Sequence, residues 1–264
     1  MDLGLKDATV VVQGGTQGMG RAAAECFAAD GAKVAVMART RADLDATVAR
    51  LLELGAADAF AAPADITDRK SVDSAFAALK ERWGTLNILV NATGPSAGGV
   101  FEALDDEDWR QIIDLGAMGM VRCVRAALPM LKAAEWARIV NVSAHSTRRQ
   151  GENLVAYTAA KAMVTSVTKN LSLSLAPYNI LVNTVSPGSF ATEALRRWAG
   201  SVGIDPQDLG AIMDGIRQHY GHPAHLPRAG DPAEIGPVIA FAASRRNSYM
   251  TGANINVDGG SDFT

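Results

Sequence analysis

A doubly wound α/β fold is what this sequence predicts, with a central parallel sheet of about seven strands and helices on both faces. Three observations carry that expectation. Short apolar runs alternate with longer segments of helical periodicity along the chain. The strand-like run LNILVN at 86–91 holds a continuous apolar run, Ile88-Leu89-Val90, the pattern of a buried parallel strand. A glycine cluster also stands between the first strand and the first helix.

The elements follow in order. The run ATVVVQ at 8–13 is the first strand and meets the glycines. A helix over 21–30 stops at Gly31, a residue type that tolerates the left-handed backbone at helix ends. KVAVMA at 33–38 is the second strand. Residues 41–54 place Leu44, Val48, Leu51 and Leu52 at helical spacing and stop at Gly55. A weaker strand covers 58–62, and Asp68 caps a helix that runs to Trp83. After the strand at 86–91 come a long helix over 106–134 and a strand at 138–142. A helix over 154–176 ends against Pro177. A strand at 179–185, a helix at 232–244 and a strand at 254–257 complete the alternation, which implies parallel crossovers. The segment 192–230 is helical but irregular, carries three histidines, and reads as a lid over the site.

Composition bounds the function. The 264 residues are 48% hydrophobic and 20% charged, which supports a sizeable core in one domain spanning 1–264 and excludes intrinsic disorder. With 25 basic and 28 acidic residues the formal charge is −3, against electrostatic binding of nucleic acid. Two cysteines, Cys26 and Cys123, make a disulfide framework unexpected. The opening MDLGLKDATVVV has no basic stretch leading into a long apolar run, and no run of about 18 apolar residues occurs. A cytoplasmic protein without a membrane partner is expected.

The glycine cluster is the first chemical signal. Gly14, Gly15, Gly18 and Gly20, with Thr16, Gln17 and Met19 between them, lie where a strand hands over to a helix. Glycine lets the backbone approach a pyrophosphate, and the free N–H groups of a helix start favour an anion. The spacing is G-x3-G-x-G rather than the common dinucleotide fingerprint. At the end of the second strand stands Arg39, where an acidic residue would hold a ribose hydroxyl. An arginine there pairs with a 2′-phosphate, so NADP is expected ahead of NAD.

The second signal is Tyr157-Thr-Ala-Ala-Lys161. Four residues is about one helical turn, so tyrosine and lysine share a face. A neighbouring ammonium favours the phenolate, which makes the tyrosine a usable general acid or base.

Taken together, these motifs resemble the short-chain dehydrogenase/reductase family over nearly the whole chain, with 3-oxoacyl carrier-protein reductases among the similar members. Gly14, Gly18 and Gly20 match the family's cofactor glycines. Asp65, followed by Ile66, matches its adenine-contacting aspartate. Asn91-Ala92-Thr93-Gly94 is similar to its Asn-Asn-Ala-Gly motif, with the second and third places changed. Tyr157 and Lys161 match the catalytic pair. Pro187-Gly188, followed by Thr192, is similar to the segment at the nicotinamide end, and Thr251-Gly252 with Val257-Asp-Gly-Gly260 looks like the C-terminal signature. The resemblance implies a Rossmann-type domain. It further implies hydride transfer between NADP(H) and a carbonyl or secondary alcohol, a small-molecule substrate and a homotetramer. Tyr157 would donate the proton, and Lys161 would lower its pKa and bind the ribose.

Three departures bear on activity. The family's serine falls thirteen residues before the tyrosine, which here is Ala144 in Ser143-Ala144-His145-Ser146. Ser143 is the favoured replacement, with Ser146 and His145 as alternatives; Ser143 and Ala144 point to opposite faces if the strand continues. The relay asparagine falls on Gly116, and Gln13 stands where threonine is common. A cofactor-binding protein with weak or no catalysis is therefore the alternative from another class, and a reductase of an activated C=C bond the variant within the first.

Other features are discounted. His219, His222 and His225 have ligand-like spacing, but Gly221 and Pro223 break the helix that would align them, so no metal is expected. The cysteines read as packed thiols, and Arg148-Arg149 as a solvated loop.

Overall fold

A computed structural model describes residues 2–95, 98–221 and 223–261. Seven strands form one parallel sheet: β1 (Thr9–Gln13), β2 (Lys33–Ala38), β3 (Asp58–Pro63), β4 (Ile88–Asn91), β5 (Ala137–Val142), β6 (Ile180–Pro187) and β7 (Asn254–Val257). Their spatial order is β3-β2-β1-β4-β5-β6-β7. The chain builds outward from β1 to β3 and then returns to β4 on the other side of β1. That reversal opens a crevice at the carboxyl ends of β1 and β4, where ligands of such sheets bind.

Strand pleating explains why the sheet needs two cores. Val10 and Val12 point to one face, where they join Phe27 and Ile239, all 0% exposed. Val11 points to the other and joins Leu79, Leu89 and Leu131, also 0% exposed. A side-chain period of two leaves no solvent-facing side in the central strands, so both faces of β1 and β4 are apolar at mid-strand, and the polar residues of the sheet, such as Asn91, Asn141 and Asn183, are buried with it. Helices α1 (Gly18–Ala29), α2 (Arg41–Glu53) and α9 (Pro232–Ala243) contribute residues to the first core. The second is covered by α3 (Arg69–Trp83), α5 (Gly119–Ala133) and α6 (Val155–Leu175).

Helix ends follow local chemistry. The Asp68 carboxylate accepts the Lys70 and Ser71 N–H groups at 3.0 and 3.3 Å and starts α3. Asp231 and Glu234 form a reciprocal capping box at α9, with Pro232 opening the helix. Gly31, at φ 76°, turns the chain from α1 towards β2.

Three expectations are corrected. The first helix begins at Gly18, inside the glycine cluster, rather than at 21. The single helix expected over 106–134 is divided into α4 (Asp106–Ile113) and α5 by a π-helical turn, Asp114–Met118. Crowding accounts for the glycines around that turn. A Cβ on Gly116 would lie 2.9 Å from the Ala160 Cβ and 3.0 Å from the Pro95 Cδ, and one on Gly119 2.5 Å from the Ile66 Cδ1. Finally, 192–230 is more regular than expected, holding α7 (Glu193–Ser201) and α8 (Leu209–Tyr220) around a small core of its own that includes Ala199, Ile212 and Met213. Its two ends meet where Phe190 bridges Gly230. Among the described residues, no helix is long and apolar enough to cross a membrane.

Leu89 lies mid-strand in β4, between β1 and β5. Its replacement by alanine is expected to lower unfolding free energy by about 2–5 kcal/mol, read from urea denaturation, because this two-sided core leaves little room to collapse onto the void.

Candidate active site

The glycine turn is built by close approach. A Cβ on Gly20 would sit 2.2 Å from the Gly14 carbonyl oxygen, and one on Gly14, at φ 77°, 3.1 Å from the Thr93 backbone nitrogen. Helix α1 therefore starts against the ends of β1 and β4. Its first turn has no acidic residue, and Gln17 supplies no side-chain cap. An anion does reach the turn from elsewhere: the Gly18 N–H donates to Glu193 Oε2 of α7 at 3.0 Å, and Arg21 Nη2 lies 3.2 Å from Glu193 Oε1. A turn that takes a carboxylate in this way fits the phosphates of a dinucleotide. Thr16 and Gln17 line a neighbouring cleft that also exposes Arg21 and Arg197.

The remaining cofactor candidates lie at the same end of the sheet. Arg39 is exposed just past β2. The Asp65 carboxyl is held below its usual range, first by the Thr67 hydroxyl and N–H, with Arg39 and Arg122 adding attraction. The Ile66 carbonyl accepts Arg122 Nη1 at 3.1 Å. Asn91 Nδ2 donates to Asn141 Oδ1 at 2.8 Å, and Asn141 Nδ2 to Thr168 Oγ1 at 2.8 Å, which ties β4 through β5 to α6. Among the described residues, the buried Asn91 Oδ1 has no partner. The Ala92 N–H donates to the Gln13 carbonyl at 2.9 Å.

Two departures from the family pattern answer each other. Gln13 Nε2 donates to Thr93 Oγ1, and the Thr93 N–H donates to Gln13 Oε1 at 3.2 Å. Each substitution looks like a loss when read singly. Only the parallel pairing of β1 and β4 brings them together.

Tyr157 and Lys161 share a face of α6. Lys161 Nζ donates to the carbonyls of Val142 at 2.9 Å and Thr93 at 3.4 Å. Gly94 makes room for it, since a Cβ there would lie 2.8 Å from Nζ. Burial lowers the Lys161 pKa to about 8 and raises that of Tyr157 to about 12. The expectation that the lysine draws the tyrosine pKa down is thus reversed in this state, where desolvation of the phenol prevails. At neutral pH Tyr157 is a protonated phenol, ready to donate.

Ser143 does not join Tyr157. Strand β5 ends at Val142, and the Ser143 hydroxyl turns to α6, donating to the Lys161 carbonyl at 2.9 Å and lying 2.9 Å from Thr165 Oγ1. Ala144, His145 and Ser146 instead line a cavity of about 840 Å³ together with Tyr157. Ser146 is buried and accepts a hydrogen bond from Thr158 Oγ1 at 3.4 Å. His145 Nδ1 lies 3.0 Å from the Pro187 carbonyl oxygen. Met19, Pro187, Gly188 and Thr192 line the same cavity. The Gly188 N–H donates to the Val257 carbonyl at 2.9 Å, and Thr192 caps α7.

The discounted residues divide. Burial pushes the Cys26 thiol up and the Cys123 thiol to about 12, unsuited to a nucleophile. His222 lies outside the described residues; His219 and His225 lie on α8 and beside Gly260. The solvated loop expected at Arg149 is corrected. Its guanidinium donates to the carbonyls of Pro223, Ser261 and Gly221 at 2.9–3.1 Å and ties the post-β5 loop to the C-terminal segment. No local pattern announced that clamp or the Glu193 contact, because both join segments far apart in the chain.

A family model described as "Enoyl-(Acyl carrier protein) reductase" matches residues 14–262. The chain is 34% identical to a trans-4-hydroxycyclohexanecarboxylate dehydrogenase of Sinomonas cyclohexanicum, over 95% of this chain and 91% of that one. It is 30% identical to the 3-oxoacyl-[acyl-carrier-protein] reductase MabA of Mycobacterium bovis, over 96% and 92%. Among solved structures, L-sorbose reductase from Gluconobacter frateurii, complexed with NADPH and L-sorbose, superposes with a TM-score of 0.91 at 26% identity, over 100% of both chains.

Two outcomes test this geometry. Between pH 8 and 10.5 the unfolded chain holds a proton on Lys161 that the folded chain has released. Folding stability contributed at this site is therefore full above that window and lost as pH falls through it. Lys161→Met abolishes the titration while leaving Tyr157 in both proteins. The stability of the variant relative to the wild type should thus fall by about 3 kcal/mol from pH 7.5 to 10.5 in urea titrations. Separately, Gly116→Asn should not restore a relay but destabilise the protein by more than about 1 kcal/mol, because Ala160 and Pro95 already fill that space.

Proposed function

This chain belongs to the short-chain dehydrogenase/reductase family, and from that premise we propose that it is an NADP(H)-dependent oxidoreductase acting on a carbonyl or secondary alcohol. One observation carries the reading: Tyr157, a protonated phenol one helical turn from Lys161, lines the same cavity as Met19, Gly188 and Thr192. The cofactor, when bound, supplies or accepts the hydride. The chain's residues hold, orient and protonate. Gly14, Thr16, Gln17, Gly18, Met19 and Gly20 take the pyrophosphate on the start of α1. Arg39 takes the 2′-phosphate, which favours NADP over NAD. Asp65 and Ile66 flank the adenine, and Asn91, Ala92 and Gly94 line the ribose path. Pro187, Gly188 and Thr192 hold the nicotinamide end.

Tyr157 gives its proton to the carbonyl oxygen as hydride arrives at the carbon, and recovers one afterwards through Lys161 and water. Ser143 is set aside as the hydrogen-bond donor to that oxygen, because its hydroxyl is committed to α6. Ser146 takes the role: it is a buried hydroxyl in the wall of the reacting cavity. The 192–230 segment is the substrate lid of a single domain spanning 1–264, and the protein is read as a cytoplasmic homotetramer.

The second reading, a cofactor-binding protein with weak catalysis, draws on two observations. Alanine lines the cavity at 144, and Gly116 is too crowded for an asparagine.

NADPH and NADH oxidation against a carbonyl panel separates the two. The wild type is expected to prefer NADPH. Tyr157→Phe should lose about 10²–10⁴ in turnover with NADP⁺ affinity unchanged, and Ser146→Ala about 10²–10³. Binding of cofactor with no turnover by any of the three proteins would favour the second reading.

A further inference from the structure

The far wall of the Tyr157 cavity has a composition that points to its ligand. It is built by α7 and α8 rather than by the sheet. The Trp198 ring stands edge-on to His219, with centroids 5.7 Å apart at 90°, and tilted to Tyr220 at 5.3 Å and 47°. All three rings line the cavity, and Phe190 lines it too. Phe190 is held in place because Gly230 has no side chain: a Cβ there would lie 2.6 Å from its ring. Leu195 and Ile216 add aliphatic lining.

Charge gives the second half of the argument. No lysine or arginine lines the cavity among the described residues, and none occurs among the remaining positions of the chain. Its lining has one carboxylate, the exposed Glu152, and two histidines, His145 and His219. The nearby Arg149 is turned away onto backbone carbonyls. A carboxylate or phosphate group on a substrate would lose its hydration here without gaining a cationic partner, and would face Glu152. A flat or cyclic apolar body would gain ring contacts on Trp198 and Tyr220.

We propose that this cavity takes an uncharged, ring-bearing alcohol or ketone, with Trp198 as the ring-contacting residue and Glu152 as the group that turns anions away. The inference deepens the oxidoreductase reading and rests on it only for the chemistry, since ring binding is measurable without turnover.

Calorimetry with cyclohexanone and 4-oxocyclohexanecarboxylate tests it, because the two differ only by the carboxylate. Both are titrated into the protein alone and into NADP⁺-saturated protein. Cyclohexanone is expected to bind at least about tenfold more tightly. Trp198→Leu should weaken cyclohexanone about tenfold, with NADP⁺ affinity and thermal unfolding checked in the same samples. Glu152→Lys changes an exposed position and so keeps the fold. It should strengthen the carboxylate at least about fivefold and leave cyclohexanone unchanged. Equal or tighter binding of the carboxylate by the wild type, no binding of cyclohexanone, or indifference of both ligands to both substitutions would overturn the proposal. The expected binding pattern, alongside no NADPH or NADH oxidation across the carbonyl panel, would uphold the ring site and favour the cofactor-binding reading.

Discussion

The closeness of helix α1 to the ends of β1 and β4 is the constraint from which the rest follows. Gly20 nearly touches the Gly14 carbonyl, and Gly14 lies against the backbone after β4. No side chain fits between them, so the start of the helix is drawn down to the carboxyl edge of the sheet. Its first N–H groups then lie at the crevice that the strand order opens, where Glu193 already engages that of Gly18. The Gln13–Thr93 pair clamps the same two strands by side-chain hydrogen bonds. Everything that lines the crevice is positioned relative to this junction.

Lys161 couples the junction to the helix that carries Tyr157. Its ammonium donates to Thr93 on the β4 side and to Val142 on the β5 side, while its own carbonyl receives Ser143. One residue thus fixes the face that α6 presents to the cavity. The ladder from Asn91 through Asn141 to Thr168 adds a second tie between the same elements. Rigidity of this kind suits a general acid, whose donor must stay within reach of one oxygen. The same two carbonyl contacts hold the amine in a place where burial lowers its pKa to about 8.

What could be read from the sequence was what local pattern controls. Short runs rich in apolar and β-branched residues gave the strands, since a two-faced core puts Val, Ile and Leu on both sides of β1 and β4. The Gly31 stop and the Asp68 cap followed from backbone chemistry. Tyr157 and Lys161 were found because helical spacing alone puts them together. The failures have a common cause in tertiary contacts. Ser143 was favoured by type and position, but the end of β5 at Val142 decides which way it turns. The π-helical turn depends on Pro95 and Ala160 crowding Gly116, which no helical pattern carries. The pairing of Gln13 with Thr93 spans 80 residues of chain.

The segment between Phe190 and Gly230 enters and leaves the fold at one point. The Ala191 N–H donates to the Gly230 carbonyl at 2.8 Å, and the Gly230 N–H to the Ser189 carbonyl at 2.9 Å. Between those ends it has its own small core. Such an excursion behaves as an exchangeable cassette. Its interior beyond α7 can change in length at little loop-closure cost, while Glu193 keeps its hold on Gly18 at the α1 junction and Lys161 keeps its anchoring. The cavity wall that α7 and α8 build can therefore be altered by replacing one closed loop of chain rather than by remodelling either core of the sheet.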